Sequence, residues 1–136
     1  MLVDINTFRA THGLARLRLS PQLTSAARAH SQQMARDGYF AHESADGSAF
    51  SKRLESFYRV SPARPWAVGE NLLWSSSALG GARALRLWLA SPRHRRNVMD
   101  PHWREIGLSA AHEAHAPGVY HGLDVTILTA DFGFRR

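Results

Sequence analysis

The order of the hydrophobic patterns along the chain limits the fold more than any other feature. Apolar residues recur at helical spacing over most of residues 2–90, whereas strand-like runs fill residues 106–132 and are densest at 125–129. Strands that follow the helices, instead of alternating with them, argue against repeated βαβ units and favour an antiparallel sheet. The pattern therefore predicts the α+β class. The chain has 136 residues, a common size for one domain, and we predict a single domain over 1–136.

Local signals place the individual elements. Ser20 and Pro21 are typical of a helix start and Gly38 of a helix end. The Ser91-Pro92 pair predicts the end of a helix, because proline disfavours α geometry in the residue before it; residues 91–99 are therefore expected to form a turn. Helices are predicted at 2–12, 21–37, 49–58 and 78–90. In the last of these, Ala78, Ala82, Leu85 and Leu89 form a stripe that should face inward beside Trp88. Extended segments are predicted at 66–74 (interrupted at Gly69), 106–111 and within 119–132, and connections at 14–19 and 112–118.

Composition excludes several kinds of site. The absence of cysteine rules out disulfides, thiolate catalysis and cysteine-ligated zinc. The net charge of +6 favours anionic partners such as nucleic acid, acidic cell-wall polymers or lipid head groups. Only Arg93, Arg95 and Arg96 form a dense cluster, however, and no basic stripe is interleaved with aromatic residues, so a solvated basic face is expected and nucleic-acid binding is not. No apolar run approaches the ~20 residues of a membrane span, and no signal-peptide pattern opens the chain.

Three polar residues stand in unusual places. His42 follows the second helix, Glu70 interrupts an apolar segment, and His94 lies in the predicted Ser-Pro turn. A carboxylate among apolar neighbours is expected to be partly buried, and it must then be paired or protonated. Two histidines and a glutamate can ligate a zinc ion with an open position, or they can form a hydrogen-bonded cluster without metal. Their positions in the sequence do not show whether they meet.

The same residues belong to a longer set of motifs. These are residues 5–14 (INTFRATHGL), 23–34 (LTSAARAHSQQM), 38–42 (GYFAH) with Asp46-Gly47, 69–71 (GEN), 88–99 (WLASPRHRRNVM), 105–108 (EIGL) and 129–133 (TADFG). In this order they resemble the CAP superfamily, whose SCP domain is shared by cysteine-rich secretory proteins, insect antigen 5 and plant pathogenesis-related proteins, and above all its compact bacterial branch. The resemblance implies an α-β-α sandwich in which an antiparallel sheet of about three strands is covered by helices on both faces.

The resemblance also assigns a cleft residue by residue. His42 and His94 match the two family histidines, which can hold a divalent ion, often zinc, and Glu70 matches the glutamate of the Gly-Glu-Asn motif. The second glutamate of many eukaryotic members is replaced by Ser91, so only one of the two acidic residues remains. No organic cofactor is implied. Asn71 and Asn97 are expected to bond turn backbones.

Two functions remain open from the sequence. The first is a monomeric binding domain, secreted or associated with the cell envelope, whose cleft takes a divalent metal on His42 and His94 or a small lipid, peptide or glycan ligand on His42, Glu70, Ser91 and His94. The alternative is a metal-dependent hydrolase of cell-wall or peptide substrates with Glu70 as general base. Placement outside the cytoplasm rests on the resemblance alone.

Overall fold

A computed structural model describes residues 1–59, 61 and 63–136. Five α-helices lie in this part of the chain, together with four strands and a short 3-10 turn at Gly118–Tyr120. None of these helices has the length and apolar character needed to cross a bilayer. The helices are α1 (Leu2–Thr11), α2 (Pro21–Asp37), α3 (Phe50–Phe57), α4 (Gly81–Ala90) and α5 (Pro92–Met99), and the strands are β1 (Arg18–Leu19), β2 (Trp66–Ser75), β3 (Glu105–Ala116) and β4 (Leu123–Arg135).

The strands form one mixed sheet in the order β1-β3-β4-β2. The long strands pair antiparallel, β3 with β4 and β4 with β2, whereas β1 pairs parallel to β3. The α+β class is confirmed, but the expected antiparallel sheet of about three strands gains a fourth, parallel one. Residues 14–19 were predicted to be a connection because a two-residue strand is too short to show a hydrophobic period.

Helices cover both faces of the sheet, which confirms the α-β-α sandwich. Side chains alternate along β4, as the pleat requires. Thr129 points toward α2, where its hydroxyl lies 2.7 Å from the Ser31 hydroxyl. Phe132 points the other way, into a core shared with Ile5 of α1 and Trp88 of α4. One layer therefore consists of α2 and α3, and the other of α1, α4 and α5.

The second helix forms as its sequence signals predict. The Ser20 hydroxyl accepts a hydrogen bond from the Leu23 amide at 3.3 Å, and Pro21 occupies the first turn, where its missing N–H is not needed. Gly38 ends the helix in the left-handed region at φ 72°. This exit turn sends the chain back toward the sheet and places residues 39–42 beside β2.

Two elements differ from their predicted form. β2 is continuous from Trp66 to Ser75 and is not interrupted at Gly69. A Cβ at Gly69 would lie 2.9 Å from a ring carbon of Trp103, so the glycine allows a tryptophan to pack against the strand. The fourth helix begins at Gly81 and not at residue 78, and it buries Ala84, Leu85 and Trp88. Ala78 and Ala82 of the predicted stripe are exposed.

Residues 92–99 are a helix, which corrects the predicted turn at 91–99. Ser91 is extended, with φ −97° and ψ 120°, and it separates α4 from α5. Pro92 is the first residue of α5. Proline ends the preceding helix, but its fixed φ and missing N–H suit the first turn of the next one. His94 therefore projects from a helix packed on the sheet.

The β3–β4 hairpin is longer than the sequence suggested. β3 continues to Ala116, across most of the predicted loop at 112–118, and β4 runs from Leu123 to Arg135. The added part of β3 is polar on its exposed side, so its alternation was missed.

Candidate functional site

A short loop after α2 carries His42 to the β2 edge of the sheet. The Nε2–H of His30, on the buried side of α2, donates to the Ala41 carbonyl at 2.9 Å and fixes this loop. His42 is then held by Glu70, since its Nδ1 lies 2.8 Å from Glu70 Oε1. The His42 side chain is 48% exposed, whereas the Glu70 side chain is fully buried. The imidazole thus has its Nδ1 on a buried carboxylate, while about half of the side chain remains exposed to solvent.

Glu70 is satisfied on both oxygens. Oε1 binds His42, and Oε2 accepts a hydrogen bond from the Arg53 guanidinium. This confirms the expectation that Glu70 is buried and paired. A carboxylate held at both oxygens is well suited to orient a histidine. It is poorly suited to serve as a general base, because that role needs an oxygen that can reach a substrate proton.

Arg53 connects three parts of the site. Besides Glu70, its guanidinium donates to the His42 carbonyl at 3.1 Å and to the Ser44 hydroxyl at 3.2 Å. Only 8% of its side chain is exposed. Sequence reasoning missed this residue, because one arginine on a short amphipathic helix looks like any other charged surface residue.

His94 approaches the same edge from the other layer. The Asn71 side-chain amide donates to the His94 carbonyl at 3.0 Å. The Asn97 amide donates to the Glu70 carbonyl at 3.0 Å and to the Asn71 side-chain oxygen at 2.9 Å. The two asparagines therefore join α5 to β2, and they do not bond turns as the sequence suggested. Through them the backbones of Glu70 and His94 are held together.

The two histidines have opposite electrostatic settings. The hydrogen bond with Glu70 raises the pKa of His42. Burial lowers the pKa of His94, and the nearby positive charge of protonated His42 lowers it further. At neutral pH His94 is neutral, which is the form that can bind a metal ion.

Ser91 does not join this group. It stands at the junction of α4 and α5, where its carbonyl accepts the Arg95 amide at 2.8 Å. Among the residues that the structure describes, no hydrogen bond joins the Ser91 hydroxyl to His42, Glu70 or His94. The predicted ligand-binding role of Ser91 stays a prediction.

Asp131 brings a second carboxyl to the site from the neighbouring strand. It stands directly opposite Glu70 in the β2–β4 register and is fully buried. Neither of its oxygens has a hydrogen-bond donor within the part of the chain that the structure describes. Burial, followed by the negative charge of Glu70, raises its pKa well above the usual value. The signal was present in the sequence, because Asp131, like Glu70, is an acid inside an apolar strand.

Asp131→Asn should reveal this pKa shift. Between the unfolded pKa near 3.8 and the raised folded value, the folded state holds a proton that the unfolded state has lost. Wild-type stability should therefore fall with rising pH, relative to the asparagine variant, by up to about 1.4 kcal/mol per pH unit in that window. Urea unfolding of both proteins at pH 5, 6, 7 and 8 measures the difference. A constant difference across this range would contradict a protonated Asp131.

His42 and His94 remain the candidate metal ligands. In residues 1–59, 61 and 63–136, no three histidine, aspartate or glutamate side chains are arranged to hold a metal ion together. The other histidines with no family match are exposed. They are His102, which contacts Asp100, and His112, His115 and His121 of the β3–β4 hairpin.

Comparisons with known proteins agree with this architecture. The model of the CAP family, the cysteine-rich secretory protein family, matches residues 2–130. The chain is 31% identical over 107 residues to the uncharacterized protein YkwD of Bacillus subtilis, and 28% identical over 103 residues to the uncharacterized membrane protein YlbC of the same organism. Each alignment covers 76% of this chain but only 38% and 28% of the relatives. The chain thus spans about a third of the relatives' length.

Solved structures show the same fold. An extracellular SCP-domain protein of Bacillus anthracis superposes with a TM-score of 0.71 at 27% identity, over 94% of this chain and 37% of that one. An outer surface protein of Borrelia burgdorferi gives a TM-score of 0.73 at 17% identity, over 99% of this chain and 90% of that one.

Proposed function

Because this chain belongs to the CAP family of cysteine-rich secretory proteins, we propose that it is a binding domain of an extracellular or envelope protein and that its cleft takes a divalent cation on His42 and His94. The location is proposed from the descriptions of the Bacillus anthracis and Borrelia proteins as extracellular and outer-surface. The cation site is proposed from the His42 imidazole, which is held by Glu70, and from His94, whose backbone is tied to the neighbouring residue of the same strand.

The carboxylate behind His42 is the observation that carries the proposal. A metal-binding histidine usually donates its second N–H to a carboxylate or carbonyl, which fixes the ring and makes the ligating nitrogen more basic. Glu70 Oε1 holds His42 Nδ1 at 2.8 Å in this way and leaves Nε2 to face a ligand. Arg53 keeps Glu70 in place from its other oxygen.

The protonation state of His94 supports its role as the second metal ligand. Its lowered pKa keeps the imidazole neutral under the conditions where zinc binds. Two imidazoles supply only part of a coordination shell, so an external molecule would complete it. This favours a binding role over a hydrolase, because a catalytic zinc usually has three protein ligands and Glu70 has no oxygen to spare for a general base.

A groove beside the site offers a place for an organic ligand. Its volume is about 570 Å3, and Arg53 forms part of its wall. The other lining residues are mostly polar: Gln33, Ser44, Ala45, Asp46, Ser48 and Lys52. This wall exposes apolar as well as polar surface, a combination that suits a small peptide, glycan or lipid ligand.

Zinc binding should depend on both cleft histidines. We expect the protein to bind one zinc ion at pH ~7.5 in calorimetry, and the His42→Ala/His94→Ala variant to lose that binding. Affinity should fall as the pH is lowered, because protons compete for His42, whose pKa is raised.

The matched control is the His102→Ala/His121→Ala variant, which removes two exposed histidines outside the cleft. It should bind zinc as the wild type does. Equal binding by the wild type and the cleft variant would overturn the proposal, and so would loss of binding in the control alone.

A further inference from the structure

The net positive charge is concentrated on one pair of helices. Residues 71–99 contain five arginines and no acidic residue, whereas the rest of the chain carries twelve basic and eleven acidic side chains. The sequence made the arginines look scattered, because basic residues occur throughout the chain. The structure places these five on α4 and α5, which follow one another in the same layer.

These arginines point away from the sheet. In α4 the buried side chains are Ala84, Leu85 and Trp88, so Arg83 and Arg86 fall on the opposite side of the helix. In α5 Val98 is buried, and Arg96 lies on the outward side with Arg93 and Arg95 at its flanks. Both helices belong to the same layer and only Ser91 separates them, so their exposed arginines lie on the same side of the sheet. We call this surface of Arg83, Arg86, Arg93, Arg95 and Arg96 the arginine face.

Internal partners do not neutralise the arginine face. Arg83 donates to the Ser77 hydroxyl and the Ala78 carbonyl, and Arg95 contacts Met99, all of them uncharged groups. Within the residues that the structure describes, none of the five arginines lies within 4.0 Å of a carboxylate. Unneutralised guanidinium groups are available to bind phosphate or carboxylate.

We propose that the arginine face binds an anionic polymer, whose phosphate or carboxylate groups repeat along a flexible chain. Repeating anions match arginines that are spread over two successive helices, with spacings of three residues in Arg83–Arg86 and Arg93–Arg96. Leu87 is the one large apolar side chain exposed among the described residues of α4 and α5, which leaves little surface to insert into a membrane. No aromatic side chain is exposed on the described part of these helices to stack on a nucleic-acid base.

Linear inorganic polyphosphate is a suitable probe, measured by calorimetry at several salt concentrations. The logarithm of the binding constant should fall linearly with the logarithm of salt concentration, by about 0.7 for each contact. Arg86→Glu/Arg96→Glu should weaken binding on the order of ten-fold and reduce this slope by about one or more. Zinc binding by the same variant should not change, which separates this test from that of the proposed cleft.

The control variant must change the net charge by the same amount as Arg86→Glu/Arg96→Glu, but outside the arginine face. Arg16→Glu/Arg28→Glu does so at two exposed positions, one in the α1–β1 connection and one on α2. It should weaken polyphosphate binding much less than Arg86→Glu/Arg96→Glu. Thermal unfolding should show both variants folded; if the charge reversals disturb α4, Arg86→Gln/Arg96→Gln gives the same comparison with a milder change.

Three results would overturn the proposal. The first is equal weakening by the two charge-reversal variants, which would show that only net charge matters. The second is no binding of polyphosphate by the wild type at low salt. The third is tighter binding to phosphatidylglycerol vesicles or to duplex DNA, lost on Arg86→Glu/Arg96→Glu, which would assign the arginine face to a membrane or to nucleic acid.

Discussion

Replacing Trp88 with alanine is expected to lower the free energy of unfolding by about 3–5 kcal/mol. Trp88 is among the largest fully buried side chains, and its ring belongs to the core between the sheet and helices α1, α4 and α5. Its indole N–H donates to the Leu72 carbonyl at 3.2 Å, so truncation leaves both a cavity and an unpaired buried acceptor. Urea unfolding of the two proteins measures the loss.

The neighbouring residue supplies the control. Leu87 is 43% exposed on the outward side of the same helix, and Leu87→Ala should change stability by no more than about 0.5 kcal/mol. Trp88→Phe should fall between the two, because it keeps much of the buried ring and loses the hydrogen bond. A loss below about 1 kcal/mol for Trp88→Ala would contradict the core position of the ring.

Replacing Arg53 with methionine should also cost about 3–5 kcal/mol, because it leaves the Glu70 carboxylate buried without its cation. Asp131 lies opposite Glu70, so the site holds two carboxyls, and Arg53 is the guanidinium that pairs with Glu70. The free energy of unfolding, measured in urea at pH 7, reports the loss.

A double-mutant cycle with Glu70→Gln distinguishes this cause from lost packing. Arg53→Met/Glu70→Gln should be more stable than Arg53→Met alone, because Glu70→Gln removes the buried carboxylate charge that Arg53→Met leaves unpaired. Arg36→Met provides a surface comparison, since the Arg36–Asp37 pair is solvent-exposed, and its effect should be too small to measure. Strict additivity of Arg53→Met and Glu70→Gln would show that the pair is not coupled.

Sequence reasoning succeeded where the signal was local. Ser20, Pro21 and Gly38 define α2 through bonds that each makes with its own turn, so no distant part of the chain has to be known. It failed at Pro92 because the local signal there is ambiguous. A proline ends one helix and can begin another, and the choice depends on whether the next eight residues find a surface to pack on.

The residues of the site also differ in whether a local sequence signal identifies them. Glu70 was identified from its apolar neighbours, because a buried charge requires a partner whatever the fold. Asp131 carries the same signal, but only the strand register shows that it lies beside Glu70. Arg53 carries none, because its role comes entirely from the approach of α3 to the His42 loop. The matching of His42 and His94 came from the family resemblance, not from spacing.

The pair of Asn71 and Asn97 has a consequence for the thermodynamics of any ligand held between the histidines. Because their amides fix the backbones of Glu70 and His94 to each other, the cleft is already ordered before a ligand arrives. A ligand that bridges the two layers would lose little binding free energy in ordering the protein. Its affinity would then depend mainly on the strength of its own bonds to the imidazoles.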